Sequence, residues 1–354
     1  MMKKKIGIMT WHYYPNSGSA LQAYALQTCL RSLGYLPQII NYRSRKFGVY
    51  SLKFRVKRTL KYYLQKLLNN NMFSFKRVYD PFLHFTTKYL YQTRLEQREE
   101  NLASLCHDFD AIICGSDQIW APNVFNPVYM LNFAPDNISK ISYAASIGLN
   151  IIPDNLRQSY RDYLQSFKKI SVREQTGADL LKNNCNISAE VVLDPTLLIN
   201  QCHWKNLETT KIQTDGKFIF CYFLNANHGY TDLVQEYAMR HNLKVVGYSA
   251  NQNDASWITA PQDSMGPCEF LWLIHHSEAV FTDSYHGTIF SLLYHKDFIT
   301  FERFANTDAI CQNSRIYQLN SYFNFDARII VASECQRINI ADVDFELLNE
   351  LLLY

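Results

Sequence analysis

Four short segments of this chain bring together residue types that can move protons or hold anions. The first is Val280-Phe281-Thr282-Asp283-Ser284-Tyr285-His286-Gly287-Thr288, an apolar run that passes through a small polar turn into an apolar helical pattern opened by a histidine. A histidine so placed can transfer a proton, and free N–H groups at a helix start attract phosphate. The alternative is a structural capping histidine, made less attractive by the space that Gly287 and Thr288 leave beside the ring. The second is Ser171-Val172-Arg173-Glu174. An arginine at a strand end suits a carboxylate or phosphate, because its planar fork donates two parallel hydrogen bonds. Its alternative is a salt bridge to Glu174 or Asp194. The third, Gly115-Ser116-Asp117-Gln118-Ile119-Trp120, places an aspartate where it could act as a base or position a hydroxyl. Read alone, Asp117 is first a turn or N-cap residue. The fourth, Asn16-Ser17-Gly18-Ser19-Ala20-Leu21-Gln22, is a glycine-containing turn entering a helix that could offer N–H groups to an anion. Turns of this kind are common, so it decides little by itself.

The elements that position these segments alternate between strand and helix. Residues 5–10 form a short apolar run suited to a buried parallel strand. After the turn Pro15-Asn16-Ser17-Gly18, Ser19 is expected to cap a helix through Leu21, Ala25, Leu26, Cys29, Leu30 and Leu33, ended by Gly34. A second strand follows at 37–42. Further strands are expected at 110–114, 140–144, 170–172 and 190–193. After a polar linker around 200–216, a second set is expected at 218–223, 244–248, 278–281, 297–301 and 328–331, with helices at 230–241, 269–276, 286–294 and 342–353. The pattern predicts an α/β protein of two Rossmann-like domains facing a cleft, residues 1–204 and 205–335, with a C-terminal helix at 336–354 that packs back on the first domain. In such sheets ligands bind beyond the carboxyl ends of the strands, where the four segments fall.

Composition narrows the classes. The 354 residues are 47% hydrophobic and 19% charged, which excludes disorder as the main state. Nine cysteines, an odd number without a CxxC pair, argue against a disulfide framework and a structural zinc site. His275 and His276 are adjacent, about 100° apart on a helix, and are read as surface or core residues; no metal site is expected. No run reaches the roughly 18 apolar residues of a membrane span, and the expected location is cytoplasmic. The net charge of +3 conceals an asymmetry. The first 79 residues hold 15 Lys and Arg and no Asp or Glu, while the remainder holds 20 basic against 32 acidic residues. Within the basic segment 43–77, Leu52, Val56, Leu60, Leu64, Leu67 and Leu68 share one helical face, with Lys53, Lys57, Arg58, Lys61 and Lys66 largely on the others. That is a basic amphipathic helix, suited to an anionic membrane surface or to docking with a solvated basic face.

Taken in order, the motifs resemble the polysaccharide pyruvyl transferase family. The matching pieces are Asn16-Ser17-Gly18 with Leu21-Gln22-Ala23-Tyr24-Ala25-Leu26-Gln27, Gly115-Ser116-Asp117-Gln118-Ile119-Trp120, Ser142-Tyr143-Ala144-Ala145-Ser146-Ile147-Gly148, Ser171-Val172-Arg173-Glu174, Val192-Leu193-Asp194-Pro195-Thr196 and Thr282-Asp283-Ser284-Tyr285-His286-Gly287-Thr288. The resemblance implies a GT-B-like fold and transfer of an enolpyruvyl-derived group from phosphoenolpyruvate to a sugar as a pyruvate ketal, without a cofactor. It implies His286 as general acid, Arg173 at the donor and Asp117 near the acceptor. Ser284, Gly287 and Thr288 would complete the donor site; Asn16, Ser17, Gly18 and Gln118 would join Asp117 on the acceptor side. The implied acceptor is a surface polysaccharide or its polyprenyl-diphosphate-linked precursor, which would give the segment 43–77 an anionic membrane as partner. One departure stands out. Many members have Arg-Leu-His where this chain has Ser284-Tyr285-His286, so the Ser284 hydroxyl with local N–H groups, or another cation, must replace the arginine. Two other readings compete: a GT-B-type glycosyltransferase using a nucleotide sugar, and a nucleic-acid-binding protein using the basic N-terminal third. No nucleic-acid-binding motif accompanies that charge, and no nucleic-acid partner is expected.

Overall fold

The computed structural model describes residues 3–44, 75–209, 216–225, 228–249, 265–305 and 311–330, with the isolated positions 212, 214 and 308. Residues 45–74 of the basic segment and the expected C-terminal helix lie outside the described residues. The chain divides into two compact units, residues 1–147 with 151–198, and residues 148–150 with 199–354.

The first unit is built on the parallel strands β1 (Lys5–Met9), β2 (Leu36–Ile39), β3 (Ala111–Cys114) and β4 (Ser139–Ser142), in the order β2-β1-β3-β4. Ile8 sits in register with Ile39 on one side and Ile113 on the other. Helix α1 (Ser17–Ser32) links β1 to β2. The bridges Ile141↔Lys169 and Ala145↔Val172 extend the sheet towards the short parallel pair β5 (Ser171–Val172) and β6 (Glu190–Val191). β4 stops two residues before the expected end, because Ala144 takes a left-handed φ of 52° that no strand can continue. The core gathers Met9, Ile112, Trp120, Tyr129, Tyr160 and Val172. Trp120 is completely buried and donates its indole N–H to Tyr129 O at 3.0 Å, as a buried tryptophan requires.

The second unit has five parallel strands in the order β11-β10-β9-β7-β8, where β7 is Phe218–Phe223, β8 Lys244–Ser249, β9 Ala279–Thr282, β10 Asp297–Phe301 and β11 Ile329–Ile330. Every residue of β7 and β9 is buried, the mark of strands covered on both faces. The residues read as a linker include a short helix, Gln201–Lys205, whose Trp204 is fully buried and packs edge-on against Phe290 at 5.0 Å. Phe290 lies in the helix Tyr285–Leu293 that follows β9.

In both sheets the chain builds outward from a first strand in one direction and then crosses to its other side. The reversal falls between β1 and β3 in the first unit and between β7 and β9 in the second. At such a reversal the flanking connections diverge and leave a crevice at the strand carboxyl ends, where α/β proteins bind ligands.

Candidate active site

At the reversal of the first sheet, β1 leads into Thr10-Trp11-His12 and β3 into Gly115-Ser116-Asp117. Gly115 has φ +120°, and a Cβ there would stand 2.0 Å from Tyr143 O, so only glycine fits. Asp117 takes φ 72°, an uncommon value for a side-chain-bearing residue. Its carboxylate is held on both oxygens. Oδ2 accepts from Ser19 Oγ at 2.5 Å and Oδ1 from the Gln118 N–H at 2.8 Å. Gln22, fully buried, ties the two strand ends together: its Nε2 donates to Thr10 Oγ1 (2.9 Å) and Trp11 O (3.0 Å), and its Oε1 accepts from the Ser116 N–H (3.0 Å).

The expected turn at Asn16-Ser17-Gly18 is instead the start of α1. Asn16, not Ser19, is the N-cap, and its side chain accepts from the Ser19 N–H at 3.1 Å. Ser19 thereby falls inside the first turn, with its hydroxyl turned to Asp117. Ser17 and Gly18 are buried helical residues. Ser17 Oγ and Gln118 Nε2 are buried polar atoms without a hydrogen-bond partner among the described residues. Such orphaned groups are rare in folded proteins and call for an explanation.

An aromatic group that none of the four segments includes lies at the same place. Trp11 and Tyr14 meet edge-to-face at 5.7 Å, Tyr13 stacks on Tyr14 at 4.4 Å, and Trp11 reaches Tyr129 at 6.3 Å. The run Trp11-His12-Tyr13-Tyr14 directly after a strand was the available signal. His12 is completely buried, with Nδ1 3.1 Å from Thr10 O and Nε2 3.2 Å from Asn41 Oδ1. Burial pushes its pKa down to about 4, from an ordinary 6.5. The unfolded chain therefore binds a proton that the folded chain refuses between those values. Stability is whole above pH 6.5 and is expected to fall by about 3 kcal/mol as pH drops to 4. Urea unfolding at stepped pH reads this; a His12→Gln variant with an equally steep fall would show that another group is responsible.

Arg173 follows β5 and is 2% exposed. Its Nε donates to Glu174 Oε1 at 3.0 Å and its Nη1 to Asp194 Oδ2 at 2.8 Å. Both partners of the alternative reading are thus engaged at once. Glu174 Oε1 also accepts from Ser146 Oγ (2.7 Å), and Asp194 Oδ1 accepts from the Thr196 N–H (3.0 Å) and hydroxyl (2.7 Å). Ser116 Oγ stands 3.2 Å from Asp194 Oδ2, which joins this cluster to the Gly115–Asp117 turn.

At the reversal of the second sheet, Ser284 is the N-cap of the Tyr285–Leu293 helix, and its hydroxyl accepts from the Gly287 N–H at 3.3 Å. His286 is therefore a first-turn residue and not the cap. It is 7% exposed, with its ring edge-to-face on Tyr285 at 5.3 Å. Gly287 lets the helix press onto β9, since a Cβ there would stand 2.4 Å from Thr282 Oγ1. Thr288 Oγ1 bonds Ser284 O (3.1 Å) and lies 2.8 Å from Thr300 Oγ1. Asp283 is buried and ties β9 to the end of β7: Oδ1 accepts from the Leu224 N–H and Oδ2 from the Asn225 N–H, both at 2.7 Å. Burial raises its pKa, opposed by the nearby Arg303 charge and by those two N–H groups.

His286, Ser284, Gly287 and Thr288 thus share one turn of the second unit. Asp117 and Gln118 share the reversal of the first unit with Asn16, Ser17 and Gly18, and Arg173 reaches it through Asp194 and Ser116. His275 and His276 are more than isolated residues. Glu208 joins them, with His275 Nδ1 3.1 Å from Oε2, and the three form the one group of potential metal ligands found among the described residues. His276 Nδ1 lies 2.9 Å from Trp272 O; that bond needs the nitrogen's proton, where a metal would need its lone pair.

The sequence profile described as polysaccharide pyruvyl transferase matches residues 16–303. Comparison with curated proteins finds no match. Among solved structures, the chain is similar to a UDP-GlcNAc 2-epimerase from Neisseria meningitidis bound to UDP-GlcNAc, with 12% identity, 99% of this chain and 94% of that chain covered, and a TM-score of 0.56. It also aligns with ADP-heptose lps heptosyltransferase II of E. coli at 12% identity and TM-score 0.46, with 99% of each chain covered. A Methanocaldococcus jannaschii UDP-GlcNAc 2-epimerase in complex with UDP-GlcNAc and UDP aligns at 11% identity and TM-score 0.47, with 99% of this chain and 93% of that chain covered. The likeness to the Neisseria meningitidis epimerase is one of fold, two Rossmann-like α/β domains with parallel sheets. Among the described residues, no helix is long and apolar enough to cross a membrane.

Proposed function

Because the chain belongs to the polysaccharide pyruvyl transferase family, we propose that it moves an enolpyruvyl-derived group from phosphoenolpyruvate to a sugar of a surface polysaccharide or of its lipid-linked precursor. The product is a pyruvate ketal. The observation that carries this reading is the placement of the Asn16–Gln22, Gly115–Trp120 and Thr282–Thr288 motifs after strands that flank the strand-order reversals of the two sheets, where α/β folds bind ligands.

The chemistry divides among three side chains. His286 gives a proton to the methylene carbon of phosphoenolpyruvate, which becomes a methyl group and leaves C2 an oxocarbenium-like electrophile. Histidine is the residue type whose ordinary pKa lies nearest neutrality. A sugar hydroxyl adds at C2, with its proton passing to Asp117. Phosphate departs with the C–O bond electrons, a second hydroxyl of the same sugar closes the ketal, and its proton leaves with phosphate. Arg173 pairs with the donor from inside its cluster with Glu174 and Asp194. Ser284, whose hydroxyl accepts from the Gly287 N–H and keeps its own proton to donate, bonds the donor at the start of the helix, with Gly287 and Thr288 shaping that turn. Ser17 Oγ and Gln118 Nε2 fit sugar hydroxyls as partners, and the half-buried Trp11 and Tyr14 offer flat apolar faces in the segment after β1.

A lipid-diphosphate-linked acceptor would place the enzyme at the cytoplasmic membrane face, with the basic segment 43–77 against anionic lipid. Most of that segment lies outside the described residues, and this part of the reading rests on its charge and spacing. Thermal unfolding with added ligand separates the donor classes. Phosphoenolpyruvate at a hundred times its Kd is expected to stabilise the fold by about 2.7 kcal/mol. Stabilisation by UDP or CMP, with none by phosphoenolpyruvate, would favour glycosyl transfer instead.

A further inference from the structure

The turn that leads from α1 to β2 is bare. Residues Arg31-Ser32-Leu33-Gly34-Tyr35-Leu36 are all exposed, and three of them are large apolar side chains. Leu33 is 66% exposed, Leu36 47% and Tyr35 37%. Local hydrogen bonds fix the turn without covering it. Gly34, at φ +88°, donates its N–H to Arg31 O at 3.0 Å, and the Tyr35 N–H reaches Leu30 O at 3.1 Å. A left-handed glycine thus closes the helix and leaves the apolar side chains outside. β2 then pairs in parallel with β1, Leu36 opposite Lys5, and the Leu36 N–H donates to Lys4 O at 2.9 Å. That register brings the apolar turn beside Lys3, Lys4 and Lys5, all exposed. Arg31, in the last turn of α1, adds a fourth cation. Asp108 and Asp110 lie on the other side of β1, where the chain enters β3, and Asp110 Oδ2 accepts from the Lys5 N–H at 2.7 Å.

A single exposed leucine needs no explanation, whereas a run of exposed apolar residues rimmed by one sign of charge marks a contact surface. The chemistry suits an anionic bilayer. Apolar side chains at the tip enter the acyl boundary while lysine and arginine meet the phosphates, each basic residue near the surface strengthening binding about fivefold. The patch sits at the amino ends of the strands and the crevice at their carboxyl ends. β1 has five residues, so about 16 Å of strand separate the two. Docking through the patch therefore touches none of the proposed site.

We propose that Leu33, Tyr35 and Leu36, rimmed by Lys3, Lys4, Lys5 and Arg31, dock the first unit on an anionic lipid surface. This surface is distinct from the segment 43–77, and its purpose rests on the lipid-linked acceptor reading above.

Vesicle co-sedimentation of the full chain tests it, with vesicles of equal parts phosphatidylglycerol and phosphatidylcholine against phosphatidylcholine alone. Binding is expected to the anionic vesicles only, and to weaken as salt is raised. Leu33→Gln with Leu36→Thr is expected to lower the partition coefficient at least tenfold, as two leucines are withdrawn from the acyl boundary. Lys3→Glu with Lys4→Glu changes two side chains that precede β1, and is expected to lower it by roughly 25-fold or more. Met239→Gln, at an exposed apolar residue of the second unit, is expected to leave it unchanged. Should the leucine variant fail to fold by circular dichroism, the lysine variant carries the test. Wild-type partitioning in either double variant, once folded, overturns the inference and returns lipid binding to the segment 43–77. Absence of wild-type binding to anionic vesicles overturns it as well. A dimer in sedimentation velocity that the leucine changes dissociate, with vesicle binding kept, makes the patch a contact between copies and likewise overturns it. Pyruvyl transfer to a soluble sugar is measured apart from all of these, so the docking surface and the reaction stand or fall separately.

Discussion

Replacing His286 with alanine is expected to lower kcat with phosphoenolpyruvate by about 10²- to 10⁴-fold, the usual contribution of a positioned general acid. Donor affinity should change far less, because in the proposed reaction the imidazole acts on the methylene carbon and not on the phosphate or carboxylate. The fold gives this variant a clean reading. The helix keeps its cap in Ser284 and its close approach to β9 through Gly287, so losing the imidazole leaves the turn intact. A loss confined to kcat marks an interaction made in the transition state; a rise in KM with kcat preserved would mark a binding group. Near-normal turnover in His286→Ala would remove the residue from the proton transfer.

The second large effect concerns stability. Arg173→Met is expected to destabilise the first unit by about 3–5 kcal/mol, the typical cost of removing one partner from a buried ion pair. The Arg173 side chain is 1% exposed, and its partners Glu174 and Asp194 are 3% and 0% exposed. Without the guanidinium, two carboxylates would remain close together in a dry environment. Urea unfolding of the variant reads this cost, and wild-type stability in Arg173→Met would show the cluster to be dispensable; the measurement must precede any kinetic use of Arg173 variants. A donor role and a structural role for this arginine share the same side chain, and only a folded variant can separate them.

The alternation of strands and helices was readable because buried parallel strands leave short apolar runs and glycine or asparagine closes the helices between them. The motif positions were readable for the same reason, since each follows a strand. Contacts between distant parts of the chain were not. Asn16 and Ser19 are both good capping residues three apart, and local pattern does not choose between them. The choice becomes visible only when Asp117, 98 residues away, receives the Ser19 hydroxyl. Glu208 meets His275 across 67 residues. Arg303 and Arg315 meet on Gln312 Oε1, a meeting that no periodicity records. Arg173 shows the opposite limit: the sequence named both of its carboxylate partners as an alternative to donor binding, and the structure engages them together. Residue type alone does not separate an arginine that holds a substrate from one that holds its neighbours.

Pyruvyl transfer begun by protonation of the donor carbon can be read in a single experiment. The protein is incubated in deuterated water with phosphoenolpyruvate and candidate lipid-linked or p-nitrophenyl sugars, and the products are read by mass spectrometry. The expected product is a pyruvate ketal on the sugar, formed with one equivalent of phosphate, whose methyl group carries one deuterium from solvent. Sugar left unmodified across acceptors by an enzyme that transfers a glycosyl group from a nucleotide sugar, or a ketal methyl without solvent deuterium, would contradict it.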